Sequence, residues 1–84
     1  MAQTADDVVG LVDTLVRNLV DDEDAVELDT YDGDDDVFHV DITVADEEVG
    51  RVIGRRGRMI KAIRTLARAA GSQAGISVDV EVLG

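Results

Sequence analysis

The sequence predicts an α+β fold in which a three-stranded mixed sheet carries three helices on one face, in the order α-β-β-α-α-β. Three observations carry this reading. The first twenty residues set apolar side chains at helical spacing, and three later segments alternate apolar with polar residues. Between the second and third alternating segments, Gly54 and Gly57 separate two further helical stretches.

Thr4 followed by Asp6 and Asp7 marks the first helix start, with a capping hydroxyl and acids at the positive end of the dipole. Val8, Leu11, Val12, Leu15, Val16 and Leu19 then recur on one face. Val9 and Val20 widen the stripe to roughly half the cylinder, more than the ~100° that a core-facing helix needs. Such a helix is either deeply buried in its own domain or shares one edge with a second subunit. The Asp21–Asp24 cluster ends the pattern. Val26, Leu28 and Thr30 alternate with Glu27, Asp29 and Tyr31 as a half-buried strand, and Asp32-Gly33 marks a turn in which glycine supplies the positive φ. Phe38, Val40, Ile42 and Val44 then alternate with His39, Asp41 and Thr43, completing an antiparallel hairpin.

Residues 46–53 read as a short helix opened by Asp46, Glu47 and Glu48, with Val49, Val52 and Ile53 on one side and Gly54 as the stop. A longer helix runs from about Arg58 to Ala70, with Met59, Ile60, Ile63, Leu66, Ala67 and Ala70 toward the core and Gly71 as its end. On its other side Arg58, Lys61, Arg64 and Arg68 form a basic stripe about 120° wide. Ile76, Val78, Val80 and Val82 alternate with Ser77, Asp79 and Glu81 as the closing strand. The second and third strands are joined through two helices, so a right-handed crossover sets them parallel. The open sheet face then carries Glu27, Asp29, Asp41, Asp79 and Glu81, a wall of carboxylates.

Eighty-four residues hold one domain with one modest core, and 45% apolar content suits a folded chain. Residues 1–84 therefore read as a single domain. Cysteine is absent and His39 is the sole histidine, which removes thiolate metal sites and most catalytic triads. No apolar run approaches membrane-spanning length and no leader-like segment opens the chain, so a cytoplasmic location without a membrane partner is expected. The formal net charge of -11 opposes nucleic-acid binding, but its distribution does not. Residues 1–50 hold 17 acids and one base, whereas residues 51–68 hold seven bases and no acid. Such polarity steers an anionic ligand to one end of the molecule.

That end contains Gly50-Arg51-Val52-Ile53-Gly54-Arg55-Arg56-Gly57-Arg58-Met59-Ile60. Without side chains at Gly54 and Gly57, a phosphodiester backbone can approach the main chain closely. The helix that follows points unpaired N–H groups at phosphate, while Arg51, Arg55, Arg56, Arg58, Lys61 and Arg64 add positive charge. Val49, Val52 and Ile53 are expected to offer an apolar floor to unstacked bases. Single-stranded RNA is the expected ligand, and single-stranded DNA fits the same groove because nothing identifies a 2′-hydroxyl contact.

These residues carry a resemblance. Gly50-x-Val52-Ile53-Gly54-x-x-Gly57-x-x-Ile60 resembles the KH signature, and the element order is similar to the type II KH fold over nearly the whole chain. Lys61-Ala62-Ile63-Arg64-Thr65-Leu66 and the compact length resemble the small bacterial single-KH proteins of the KhpA type. The resemblance implies a cytoplasmic RNA-binding protein without enzymatic activity or cofactor. It further implies a homodimer, or a heterodimer with a larger KH-containing protein of the Jag type, acting as an RNA chaperone or regulator linked to cell division and cell shape. The chain departs from the family pattern at Asp22 and Asp46, near which proline is common.

Other readings fit less well. A sheet-face RNA binder stacks bases on aromatic pairs, and here that face is acidic. Asp32-Gly33-Asp34-Asp35-Asp36 has its glycine misplaced for a calcium loop. His39 sits on an exposed strand face with no partner apparent from the sequence. The alternative of a different class is a KH-fold adaptor used mainly for protein–protein contact, since one such unit holds only about four nucleotides.

Overall fold

The computed structural model describes residues 4–84. Helix α1 spans Ala5–Leu19, strand β1 Glu27–Asp32, β2 Val37–Thr43, helix α2 Val49–Ile53, α3 Arg58–Gln73 and strand β3 Ser77–Val82. Single 3₁₀ turns at Glu23–Ala25, Asp46–Glu48 and Arg55–Gly57 link them. The α1 start is a capping box: Thr4 Oγ1 accepts from the Asp7 N–H, and Asp7 Oδ2 accepts from the Thr4 N–H at 2.8 Å.

The sheet has the predicted topology, β1-β2-β3, antiparallel then parallel. Its inner face contributes Val40, Ile42, Val78 and Val80, which pack with Val8, Val12 and Val16 of α1 and Ile60, Ile63 and Ala67 of α3. The register brings Asp29, Asp41 and Glu81 into one row across all three strands of the open face. Like charges directly opposite one another are unfavourable, and Arg64 relieves one end by lying 3.6 Å from Glu81.

Several local expectations are corrected. In the hairpin turn the left-handed residue is Asp36 at φ 60°, not Gly33. The Asp35 carboxylate accepts from the Val37 N–H at 3.1 Å and thereby ties this turn. Gly33 instead makes room, since a Cβ there would lie 2.6 Å from His39 Nε2. His39 does have partners: its ring stacks on Tyr31 with centroids 4.8 Å apart, and its nitrogens lie 3.4 Å from Asp35 and 3.9 Å from Asp79.

Gly71 does not end α3. It lies buried within the helix, where a Cβ would meet Val78 Cγ2 at 2.5 Å and the Ile76 carbonyl oxygen at 2.8 Å. The helix ends two residues later, at Gln73, in a Schellman arrangement, with the Ile76 N–H donating to the Gly71 carbonyl and the Gly75 N–H donating to the Ser72 carbonyl. Met59 and Leu66, expected in the core, are 37% and 48% exposed. They lie about 90° around α3 from the buried line of Ile60, Ile63, Ala67 and Gly71.

Candidate nucleic-acid interface

Helix α2 is only five residues long, and Val52 is its one fully buried side chain. It stops at Gly54, whose φ of 78° and ψ of 173° belong to a region open essentially to glycine alone. Space demands glycine as well, because a Cβ at Gly54 would lie 2.6 Å from Met59 Cβ and 2.8 Å from its backbone nitrogen. Arg55–Arg58 then form a tight turn closed by the Arg58 N–H donating to the Arg55 carbonyl. Its central residues, Arg56 (φ 57°, ψ 26°) and Gly57 (φ 73°, ψ 14°), are both left-handed, the geometry of a type I′ turn. Glycine adopts this without cost, but arginine does not. Arg56 therefore stores strain at the tip of the loop.

The turn delivers the chain into α3, sixteen residues long and without a side-chain cap at its N-terminus. This contrasts with α1, whose first turn is capped by Thr4 and begins with acids. Arg55, Arg56 and Arg58 instead surround the positive end of the α3 dipole, an arrangement that an anion would stabilise. All three are exposed, as is Lys61, and none of the four forms an ion pair among the described residues.

The remaining expected site residues divide. Arg64 is half-buried and committed to the sheet edge: its Nε donates to the Val80 carbonyl at 2.8 Å and its Nη2 lies 3.6 Å from Glu81. Arg68 leans on Asp79 at 3.6 Å. Arg51 is drawn away from the loop by Asp21 at 3.0 Å and Glu48 at 3.4 Å. The basic stripe on α3 is thus split, with Arg58 and Lys61 unpaired near the loop and the two later arginines satisfied by β3. Val52 is fully buried and offers no surface to a base, which corrects its place in the apolar floor. Val49 is half-buried and Ile53 is 37% exposed. Met59, against which Gly54 packs, supplies the exposed apolar surface that Val52 does not. Its angular offset from the core line of α3 was the signal in the sequence that could have identified it.

Glu48 was expected only as an acid opening the helix. It is instead buried, and its carboxylate accepts from the backbone N–H groups of Asp21 and Asp22. Sequence spacing cannot reveal this pairing, because the partners are main-chain groups 26 and 27 residues away.

A family model described as "KhpA/KhpB, KH domain" matches residues 10–82. The chain is 41% identical over 73 residues to the RNA-binding protein KhpA of Caldanaerobacter subterraneus subsp. tengcongensis, covering 87% of this chain and 96% of that protein. The RNA-binding protein KhpA of Borreliella burgdorferi is 37% identical over 75 residues, 89% of this chain and 90% of its own. That of Chlamydia trachomatis is 38% identical over 69 residues, 82% and 87%. The element order, the mixed three-stranded sheet and the glycine-bounded loop between α2 and α3 agree with a type II KH domain. This chain belongs to the KhpA/KhpB KH-domain family.

Proposed function

We propose that the chain acts as one KH unit that binds single-stranded RNA at the Gly54–Gly57 loop, without catalysing a reaction. The observation that carries this reading is the meeting of an uncapped helix N-terminus with a glycine-bounded loop, within a stretch whose four cations are unpaired among the described residues. Phosphate oxygens accept from the first N–H groups of α3, while Arg55, Arg56, Arg58 and Lys61 neutralise their charge. Ile53, Met59 and the exposed part of Val49 form the apolar surface against which unstacked bases lie. The acidic open face of the sheet repels the same phosphates, which gives the ligand one side on which to bind. The relatives named as RNA-binding proteins support RNA as the ligand.

The double substitution of Arg55 and Arg56 by aspartate tests this. Fluorescence anisotropy with a short single-stranded RNA is expected to lose its signal, with an unchanged circular dichroism spectrum. Undiminished binding overturns the assignment. A matched single-stranded DNA competitor determines whether the 2′-hydroxyl contributes.

One unit holding about four nucleotides is a small grip, so useful affinity calls for a second module. We propose that α1 provides the contact for it: Val9, Leu11, Leu15 and Leu19 remain only half-buried around the α1 core line. A second copy, or a larger KH-containing protein of the Jag type, would complete an RNA chaperone or regulatory complex in the cytoplasm. In the adaptor reading this contact dominates and RNA binding is secondary. Sedimentation at micromolar concentration separates the two parts of the proposal, because a strict monomer removes the homodimer and leaves the loop untouched.

A further inference from the structure

We propose that Glu48 is a positioning residue for the Gly54–Gly57 loop, its buried carboxylate clamping the chain that leaves α1 to the start of α2. The proposal rests on the RNA-binding reading of that loop. Glu48 is 5% exposed, the one charged side chain buried to this degree among the described residues. A buried carboxylate is costly unless its oxygens are satisfied, and both are. Oε2 accepts from the Asp21 N–H at 2.6 Å and Oε1 accepts from the Asp22 N–H at 2.9 Å. Arg51 Nη1 adds a third contact at 3.4 Å while also reaching Asp21 Oδ2 at 3.0 Å.

This network lies at the only polar junction between the end of α1 and the α2 segment seen among the described residues. Its location gives it leverage. Helix α2 has five residues, too few to be stable in isolation, and is anchored in the core chiefly by Val52. Glu48 immediately precedes it and Gly54 immediately follows it, so a rotation of α2 about Val52 moves the loop and the α3 N-terminus relative to each other. The bidentate grip on two successive backbone N–H groups opposes that rotation. It also holds Arg51 over Asp21 and away from the phosphate path, leaving Arg55, Arg56, Arg58 and Lys61 as the cations that meet the ligand.

Glu48→Gln tests the clamp, because an amide keeps the shape but replaces one acceptor oxygen with a donor. In protein shown to be folded by circular dichroism, amide exchange at Gly54, Gly57 and Arg58 is expected to accelerate about tenfold. Affinity for a short single-stranded RNA is expected to fall by about as much. Glu48→Asp, which keeps the charge on a shorter arm, recovers part of both. Asp22→Pro deletes one donor with the carboxylate intact, gives a smaller change in the same direction, and decides the matter if Glu48→Gln does not fold. A folded Glu48→Gln protein with wild-type loop exchange and wild-type RNA affinity, and only a lower thermal midpoint, overturns the proposal. If the wild-type protein itself fails to bind RNA, the RNA reading fails, while the loop exchange rates still decide whether Glu48 positions the loop.

Discussion

Arg56 shows how much of the site depends on single backbone conformations. A left-handed arginine costs about 1–3 kcal/mol against a residue free to adopt it, and the fold accepts this at the loop tip. Arg56→Gly is therefore expected to raise the free energy of unfolding by up to about 1 kcal/mol in urea titrations while weakening RNA binding. A variant that gains stability and keeps full affinity would mean that Arg56 touches no phosphate. At the hairpin the Val37 N–H holds the Asp35 carboxyl below its ordinary value of 3.8 against an opposing effect of desolvation, with His39 helping to lower it. A carboxyl depressed in the folded state contributes stability that is complete above 3.8 and disappears as pH falls through the lower folded value. Titrating the Asp35 side-chain carbon by NMR should give a midpoint below 3.8, returning toward it when a proline at position 37 removes the N–H donor. The Asp-Gly pair announced the turn in the sequence. Which residue takes positive φ was not legible there, because aspartate and glycine both tolerate it.

At the scale of elements, periodicity located the three α-helices and the three strands, since apolar residues recur at the spacing proper to each. It failed where an element's boundary or rotation is decided by a neighbour. Gly71 looked like a helix stop and is instead the point where α3 closes onto β3. Gly71→Ala is expected to cost about 1–3 kcal/mol of folding stability, as overpacking against Val78 and the Ile76 carbonyl forces helix and strand apart. Chemical denaturation measures it, and a neutral result would place the helix farther from the strand than described. The division of the α3 basic stripe was also hidden. Spacing put Arg58, Lys61, Arg64 and Arg68 on one face, but only the packed sheet shows that Arg64 reaches the Val80 carbonyl and Arg68 reaches Asp79. Val52 and Met59 exchanged their expected roles: the rotation of the five-residue α2 turns Val52 into the core, and Met59 lies off the buried line of α3.

The whole molecule carries a formal net charge of -11 yet concentrates nearly all its positive charge in residues 51–68. Segregation of charge was legible in the sequence because it needs no fold, and the sheet register sharpens it by aligning Asp29, Asp41 and Glu81 in one row. A ligand therefore meets repulsion over most of the surface and attraction at the Gly54–Gly57 loop, where four cations lack ion-pair partners among the described residues. Whether single-stranded RNA binds at this loop is decided by one titration. A short RNA is titrated into the ¹⁵N-labelled chain at several salt concentrations, with amide shifts and affinity followed together. The shifts should concentrate at residues 53–59, and log K should fall with log salt with a slope of about -2.8 if four phosphates are neutralised on a single strand. Shifts centred on the open sheet face, or an affinity indifferent to salt, would contradict it.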